Sequence, residues 1–294
     1  MMNIKLAHNM NYKIKFKRMR IPLPKGTLIP IGGGEDKKES KTVLSRVISE
    51  TGKKHPKICV ITLATNLPKE VAKDYRDAFV GLGIKKISVI HYENRPQADT
   101  AANLQKIKEA DVVMFSGGNQ LKLSSLLGGT ELIQRIKDKY YDDPHFVIAG
   151  TSAGAAAMSD TMIISGSSQS ALIKGELELT NGLDLINSVF IDTHFTERGR
   201  FGRLIQTVTC NPGVLGIGLG EDTAVIIYRG NEMEVVGSGL VVIADGKDIS
   251  YTDLTSVSNG EPITVEGIKM HILGPGKKFL LAERRLSAES VENK

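Results

Sequence analysis

Through the first half of the chain, short β-branched runs alternate with longer stretches whose apolar residues recur at helical spacing. Residues 26–31 predict a strand that ends in Gly32-Gly33-Gly34, and residues 41–52 follow with Val43, Leu44, Val47 and Ile48 on one helical face. The alternation continues with a strand over 57–63, a helix over 69–82, a strand over 86–91, a helix over 100–110 and a strand over 111–116. A turn at Gly117-Gly118-Asn119-Gln120 then leads into one helix running to about residue 141. Residues 145–149 form a near-continuous apolar run, as expected of a strand buried on both faces of a parallel sheet. Repeated β-α-β units predict an α/β fold of three layers, with a mostly parallel sheet flanked by helices.

Beyond Gly216 the pattern changes to strands and turns, over 223–228, 233–236, 239–244, 263–273 and 279–282, which predicts a β-rich C-terminal portion. No internal repeat or low-complexity linker divides the chain. The expected organisation is a basic N-terminal arm over 1–25, a single α/β hydrolytic domain over 26–286 and a polar tail over 287–294.

Composition narrows the class. With 41% hydrophobic and 24% charged residues the chain matches soluble globular proteins and can build a buried core. No apolar run approaches the roughly 20 residues that span a bilayer, so no membrane partner is expected. The basic start (Lys5, Lys13, Lys15, Lys17, Arg18, Arg20) lacks the apolar stretch and small-residue cleavage site of a secretory signal, and a cytoplasmic location is expected. The net charge of +5 is spread along the chain, which argues against nucleic acid as a partner and mildly favours acidic substrates. Cys59 and Cys210 are too few and too far apart for a disulfide framework or a zinc site. Cys59 sits in the apolar run 58–63 and is expected to be a core residue.

The strand at 146–149 runs into Gly150-Thr151-Ser152-Ala153-Gly154, after which Ala155, Ala156, Ala157 and Met158 favour a helix. Between a buried strand and a small-residue helix, G-x-S-x-G holds a serine on a tight turn with its hydroxyl exposed. Gly150 and Gly154 leave room for close approach, and the amide of Ala153 at the helix start points toward a developing oxyanion. Ser152 is therefore the expected nucleophile, and it needs a base. His8 lies in the arm, His55 and His145 lie beside prolines, and His91 and His271 lie in or at the ends of strands. His194 follows the apolar run 189–191 in Asp192-Thr193-His194-Phe195, at the C-terminal end of a strand, where catalytic groups of parallel sheets collect. For an acid to orient the imidazole, Glu221 and Asp222 both stand at a glycine-rich strand end, whereas Asp192 is too close to His194 in sequence to reach its ring easily. The chain order Ser, His, acid differs from the Ser, acid, His order of α/β-hydrolases. Gly32-Gly33-Gly34 lacks the spacing of a Walker or dinucleotide motif and is read as a turn at the end of the sheet.

Five blocks in order carry a wider resemblance: Pro30-Ile31-Gly32-Gly33-Gly34-Glu35, Ser116-Gly117-Gly118-Asn119-Gln120, Gly150-Thr151-Ser152-Ala153-Gly154-Ala155, Asp192-Thr193-His194-Phe195 with Arg198, Arg200 and Arg203, and residues 218–224. On these residues the chain resembles the cyanophycinases, within the wider family of serine peptidases that includes the aspartyl dipeptidase E. The resemblance implies a glutamine-amidotransferase-like (flavodoxin-like) fold and a triad of Ser152, His194 and Glu221, the last chosen over Asp222. It implies oxyanion donors at Gly118 and Ala153, and hydrolysis of β-aspartyl-arginine units in cyanophycin, a storage polymer. It also implies no metal, no cofactor and a homodimer. Gln120, Asp192, Thr193, Arg198, Arg200 and Arg203 are the implied substrate contacts. In physical terms the planar guanidiniums suit substrate carboxylates, and Asp192 suits a substrate arginine. The chain departs from the family pattern at Thr193, where Gln is typical, and at Gly220, where Asp is common. Both departures touch the pocket and leave the triad intact. An aspartyl or isoaspartyl dipeptidase, or a silent protein that binds an anionic ligand, are the competing expectations.

Overall fold

The computed structural model describes residues 23–166 and 172–292. Apart from residues 23–25 the expected basic arm lies outside them, as do the last two residues of the expected tail. The first half alternates as the apolar pattern predicts: β1 (Thr27–Ile31), α1 (Thr42–Ser49), β2 (Ile58–Ile61), α2 (Pro68–Gly81), β3 (Ile87–Ile90), α3 (Ala101–Glu109) and β4 (Val112–Phe115). The helix expected from the Gly117 turn to residue 141 is two helices, α4 (Gln120–Leu127) and α5 (Glu131–Asp142). Gly128 and Gly129 break it, Gly129 having φ +72°, and the Thr130 side chain caps the new helix by accepting from the Ile133 amide. β5 (Val147–Thr151), α6 (Ala153–Ala156), β6 (Thr161–Ser165), β7 (Glu178–Asn181), β8 (Val189–Thr193) and α7 (Phe201–Cys210) follow.

The C-terminal portion is built from β9 (Leu215–Leu219), β10 (Thr223–Tyr228), β11 (Glu232–Gly237), β12 (Val241–Asp245), β13 (Tyr251–Thr252), β14 (Val265–Glu266), β15 (Lys269–Leu273), β16 (Lys278–Leu280) and β17 (Arg285–Leu286). The strand expected over 263–273 is thus two strands in different sheets. They part at Gly267, where φ is +93° and a Cβ would stand 2.5 Å from the Asp248 carbonyl.

A nine-stranded sheet has the order β17-β16-β11-β10-β1-β5-β4-β2-β3. From β1 to β3 its ladders are parallel, and from β1 outward through β10, β11, β16 and β17 they are antiparallel. The parallel half needs crossover helices, and they cover both faces. Ile29, Ile31, Val60 and Met114 pack with Val43, Leu44 and Val47 of α1 and Tyr75 and Phe79 of α2. The alternate residues Leu28, Cys59, Ile61 and Phe115 pack on the other face with Ile107, Leu123, Leu132 and Ile136 of α3, α4 and α5. This two-sided alternation gives the three-layer α/β fold that the sequence predicts.

A second sheet, β15-β12-β9-β8, shares the larger core cluster with the first. Its pair β8 and β9 is parallel. The glycines of β9, which loosen the pattern in sequence, serve close packing. A Cβ at Gly216 would meet Leu204 Cδ1 of α7 at 2.6 Å, and one at Gly218 would meet the Phe195 ring at 2.4 Å. Two sheets therefore deliver their strand ends to one place, with α6 packed among β5, β1 and β8.

Candidate active site

The site lies at the C-terminal ends of β1, β4, β5, β8 and β9, where open parallel sheets present ligand groups. Ser152 occupies the single residue between β5 and α6 with φ 52° and ψ −113°, a conformation that costs energy for a residue with a Cβ. Its amide donates to the Ile31 carbonyl of β1 at 2.9 Å, and its carbonyl accepts from the amides of Ala155 and Ala156 at 3.0 and 2.9 Å. The flanking glycines make the turn possible: a Cβ at Gly150 would stand 2.8 Å from the Gly154 carbonyl, and one at Gly154 would stand 2.6 Å from that of Phe115.

His194 follows β8 directly, also at positive φ (49°), with its amide donating to the Gly32 carbonyl at 2.8 Å. Phe195, fully buried against Gly218 and 4.8 Å from the Phe201 ring, anchors the chain directly after His194. Ser152 Oγ lies 2.9 Å from His194 Nε2, and Glu221 Oε1 lies 2.6 Å from His194 Nδ1. Nδ1–H donating to the carboxylate leaves Nε2 as an acceptor facing the serine hydroxyl. Asp222 is turned elsewhere: its Oδ1 accepts from the Asp36 amide at 3.0 Å and its Oδ2 from the Ser238 hydroxyl at 2.7 Å.

The glycine turn read from sequence as the end of a strand roofs this arrangement. Gly33 has φ +104°, and a Cβ there would stand 2.3 Å from His194 Cε1. At Gly34, with φ +59°, a Cβ would stand 2.9 Å from Glu221 Oε2. Only residues without side chains let the β1 turn press on the imidazole and its carboxylate.

A cavity of about 160 Å³ opens beside Ser152, lined by Gly118, Gln120, Ala153, Asp192, Thr193, His194, Arg198, Arg200 and Arg203 among others. All the sequence-predicted site residues except Glu221 thus meet in one lining. Their mutual contacts differ from expectation in one respect. Asp192 is 2% exposed and held by two arginines, with Arg200 Nη1 3.0 Å and Arg203 Nη2 2.9 Å from Oδ1, and Arg203 Nε 2.8 Å from Oδ2. It is therefore not the open acid that was expected to meet a substrate arginine. A carboxylate between two guanidiniums orients them instead. Arg200 Nη1 also donates to the Thr193 carbonyl at 2.7 Å and Arg203 Nη1 to that of Gly166 at 3.2 Å. Burial pushes the Arg200 guanidinium below its ordinary value, with Asp192 opposing. The lining carries three guanidiniums and one carboxylate, so it favours an anionic group. The Gln120 side-chain amide donates to the Ile163 carbonyl at 2.9 Å, which fixes its orientation at the rim.

A second cavity, of about 330 Å³, lies on the other side of Ser152 and Gly118, bounded by Gly33, Gly34, Glu35, Lys37, Asp74 and Tyr75. Glu35 and Tyr75 carry no local signal in sequence, because a buried carboxylate is recognisable only from the donors that the fold brings to it.

A serine on a strained strand-to-helix turn, faced by an imidazole at the C-terminal end of another strand, is the arrangement used by α/β enzymes of the serine-peptidase class. The particular family follows from comparison with known proteins. The model of peptidase family S51 matches residues 28–236, and the chain belongs to that family of serine-type peptidases. A cyanophycinase of Synechococcus elongatus is 31% identical over 267 residues, covering 91% of this chain and 83% of that protein. A cyanophycinase of Trichormus variabilis is 32% identical over 271 residues, covering 92% and 91%. The crystal structure of a peptidase from an acI-B1 Actinobacterium shares the fold with a TM-score of 0.63, at 20% identity over 88% of this chain and 98% of that one.

Proposed function

We propose that the protein hydrolyses aspartyl-peptide bonds with Ser152 as nucleophile, His194 as general base and acid, and Glu221 as the group that orients and charge-balances His194. The observation that carries this is the continuous relay of 2.9 Å from Ser152 Oγ to His194 Nε2 and 2.6 Å from Nδ1 to Glu221. Ser152 Oγ attacks the scissile carbonyl as its proton passes to Nε2, giving a tetrahedral oxyanion and an imidazolium paired with Glu221. The amides of Gly118 and Ala153 face the oxyanion. Collapse expels the amine, which takes the proton from Nε2 and leaves an acyl-Ser152. Water then gives its proton to Nε2 as it attacks the acyl group, and a second collapse frees the acid and returns the proton to Ser152.

The arginine-lined cavity supports an acidic residue on one side of the bond. Guanidiniums of Arg200 and Arg203, held in place by Asp192, meet its carboxylate, with Arg198 and Gln120 at the same wall. The relatives' names point to cyanophycin, a β-aspartyl-arginine polymer, as substrate. A lining of about 160 Å³ that departs from the family at Thr193 also suits a single aspartyl or isoaspartyl dipeptide. Incubation with insoluble cyanophycin and with a panel of α- and β-aspartyl dipeptides separates these substrates. Clearance of the polymer supports the first, hydrolysis of dipeptides alone supports the second, and turnover of neither contradicts both. A homodimer is proposed on family resemblance alone and is tested by sedimentation.

A further inference from the structure

One buried carboxylate joins the glycine turn to the serine turn. Glu35 follows Gly32-Gly33-Gly34 directly, and its side chain is 1% exposed. Three donors converge on it: Tyr75 Oη at 2.5 Å from Oε1, Lys37 Nζ at 2.7 Å from Oε1, and Thr151 Oγ1 at 2.6 Å from Oε2. Thr151 immediately precedes Ser152. Tyr75 comes from α2 and is itself buried, with the Lys37 ammonium 4.9 Å above its ring. Burial and the Glu35 carboxylate push the Tyr75 phenol well above its ordinary value, so it remains an O–H donor.

Strained backbone such as that of Ser152 persists only where its surroundings over-determine it. The main-chain bonds of the turn fix the amide and carbonyl of Ser152. The Thr151 hydroxyl on Glu35 adds a side-chain tether from the residue before. At its other end the same glutamate extends the turn whose Gly33 and Gly34 press on His194 and Glu221. A carboxylate is suited to the place because it only accepts, whereas an amide either sets its N–H against the Lys37 ammonium or turns it to Thr151, whose hydroxyl must then accept where it now donates.

We infer that Glu35 is a positioning residue, tying the Ser152 turn to the turn that holds His194 and Glu221 and so setting the alignment of serine and imidazole. This rests on the roles proposed above for Ser152, His194 and Glu221.

The full chain carries the test, as Glu35→Gln, Thr151→Val and Thr151→Ser beside Ser152→Ala. Two quantities are read at a temperature where circular dichroism shows each variant folded: kcat and KM on L-aspartate p-nitroanilide, and the rate of phosphonylation by a small uncharged fluorophosphonate. Misalignment lowers kcat and the phosphonylation rate of Glu35→Gln and Thr151→Val by about 10-fold or more. KM stays within about twofold, since substrate contacts are untouched. Thr151→Ser, which keeps the hydroxyl, restores both rates. If Glu35→Gln does not fold, the Thr151 pair decides. Folded Thr151→Val reacting at the wild-type rate, or Thr151→Ser failing to restore it, overturns the inference. Failure of the underlying assignment has a separate signature, undiminished phosphonylation of Ser152→Ala.

Discussion

His194 Nδ1 faces Glu221 Oε1 at 2.6 Å, while the next residue, Asp222, spends its carboxylate on the Asp36 amide and the Ser238 hydroxyl. Two adjacent acids thus have separate partners. The Glu221 side chain is 45% exposed, so water screens part of its effect on the imidazolium. Glu221→Gln keeps the shape and is expected to lower kcat by about 100- to 1,000-fold, less than the roughly 10,000-fold cost of neutralising a buried triad acid. Asp222→Asn leaves kcat within a small factor of wild type. Steady-state kinetics on one aspartyl substrate checks both, and the reverse ranking would assign the acid to Asp222.

Gly33 has no room for a methyl group beneath the His194 ring. Gly33→Ala forces the imidazole or the β1 turn to move, and a displacement near 1 Å at a reacting pair costs about 100-fold in rate. The expected result is a kcat reduced by about that factor with KM little changed. Unchanged kcat would mean that the turn yields freely and does not hold the histidine.

Asp192 is buried between Arg200 and Arg203, so its loss and the loss of one arginine have different consequences. Asp192→Asn leaves two guanidiniums short of their counter-charge, and breaking a buried pair costs about 3–5 kcal/mol of stability. Denaturant titration reads this directly. Arg200→Ala removes a cation from the cavity, and loss of a charge-assisted hydrogen bond to an acidic substrate lowers kcat/KM by about 10- to 100-fold. Labelling of Ser152 by a small uncharged reagent is unaffected. Equal kinetics of wild type and Arg200→Ala on acidic and neutral peptides would remove the arginines from substrate recognition.

Local signals in the sequence located the scaffold of this site. The apolar run 145–149, the G-x-S-x-G block and the small-residue helix after it specify a strand, a tight turn and a helix within a few residues, and Ser152 stands at that junction. The placement of His194 at a strand end was legible for the same reason. What depends on distant partners was not. The break between α4 and α5 is carried by Gly128 and Gly129, which look tolerable within an otherwise helical pattern. The β6–β7 hairpin has half-exposed strands with weak alternation, and no strand was expected there. Asp192 reads as an open acid until α7 folds Arg203 back onto it across 11 residues. Gly33 and Gly34 read as turn formers because nothing nearby in the chain reveals that His194 and Glu221 pack against them.

Peptide-mapping mass spectrometry of the protein after reaction with a fluorophosphonate at pH 8 tests whether Ser152 is the activated nucleophile. Burial pushes the Cys59 thiol up to about 11 and also raises that of Cys210, so neither presents much thiolate to compete at this pH. One adduct is expected, on the peptide containing Ser152, formed in step with loss of activity and absent from Ser152→Ala. An adduct confined to another residue, or full peptidase activity in Ser152→Ala, would contradict it.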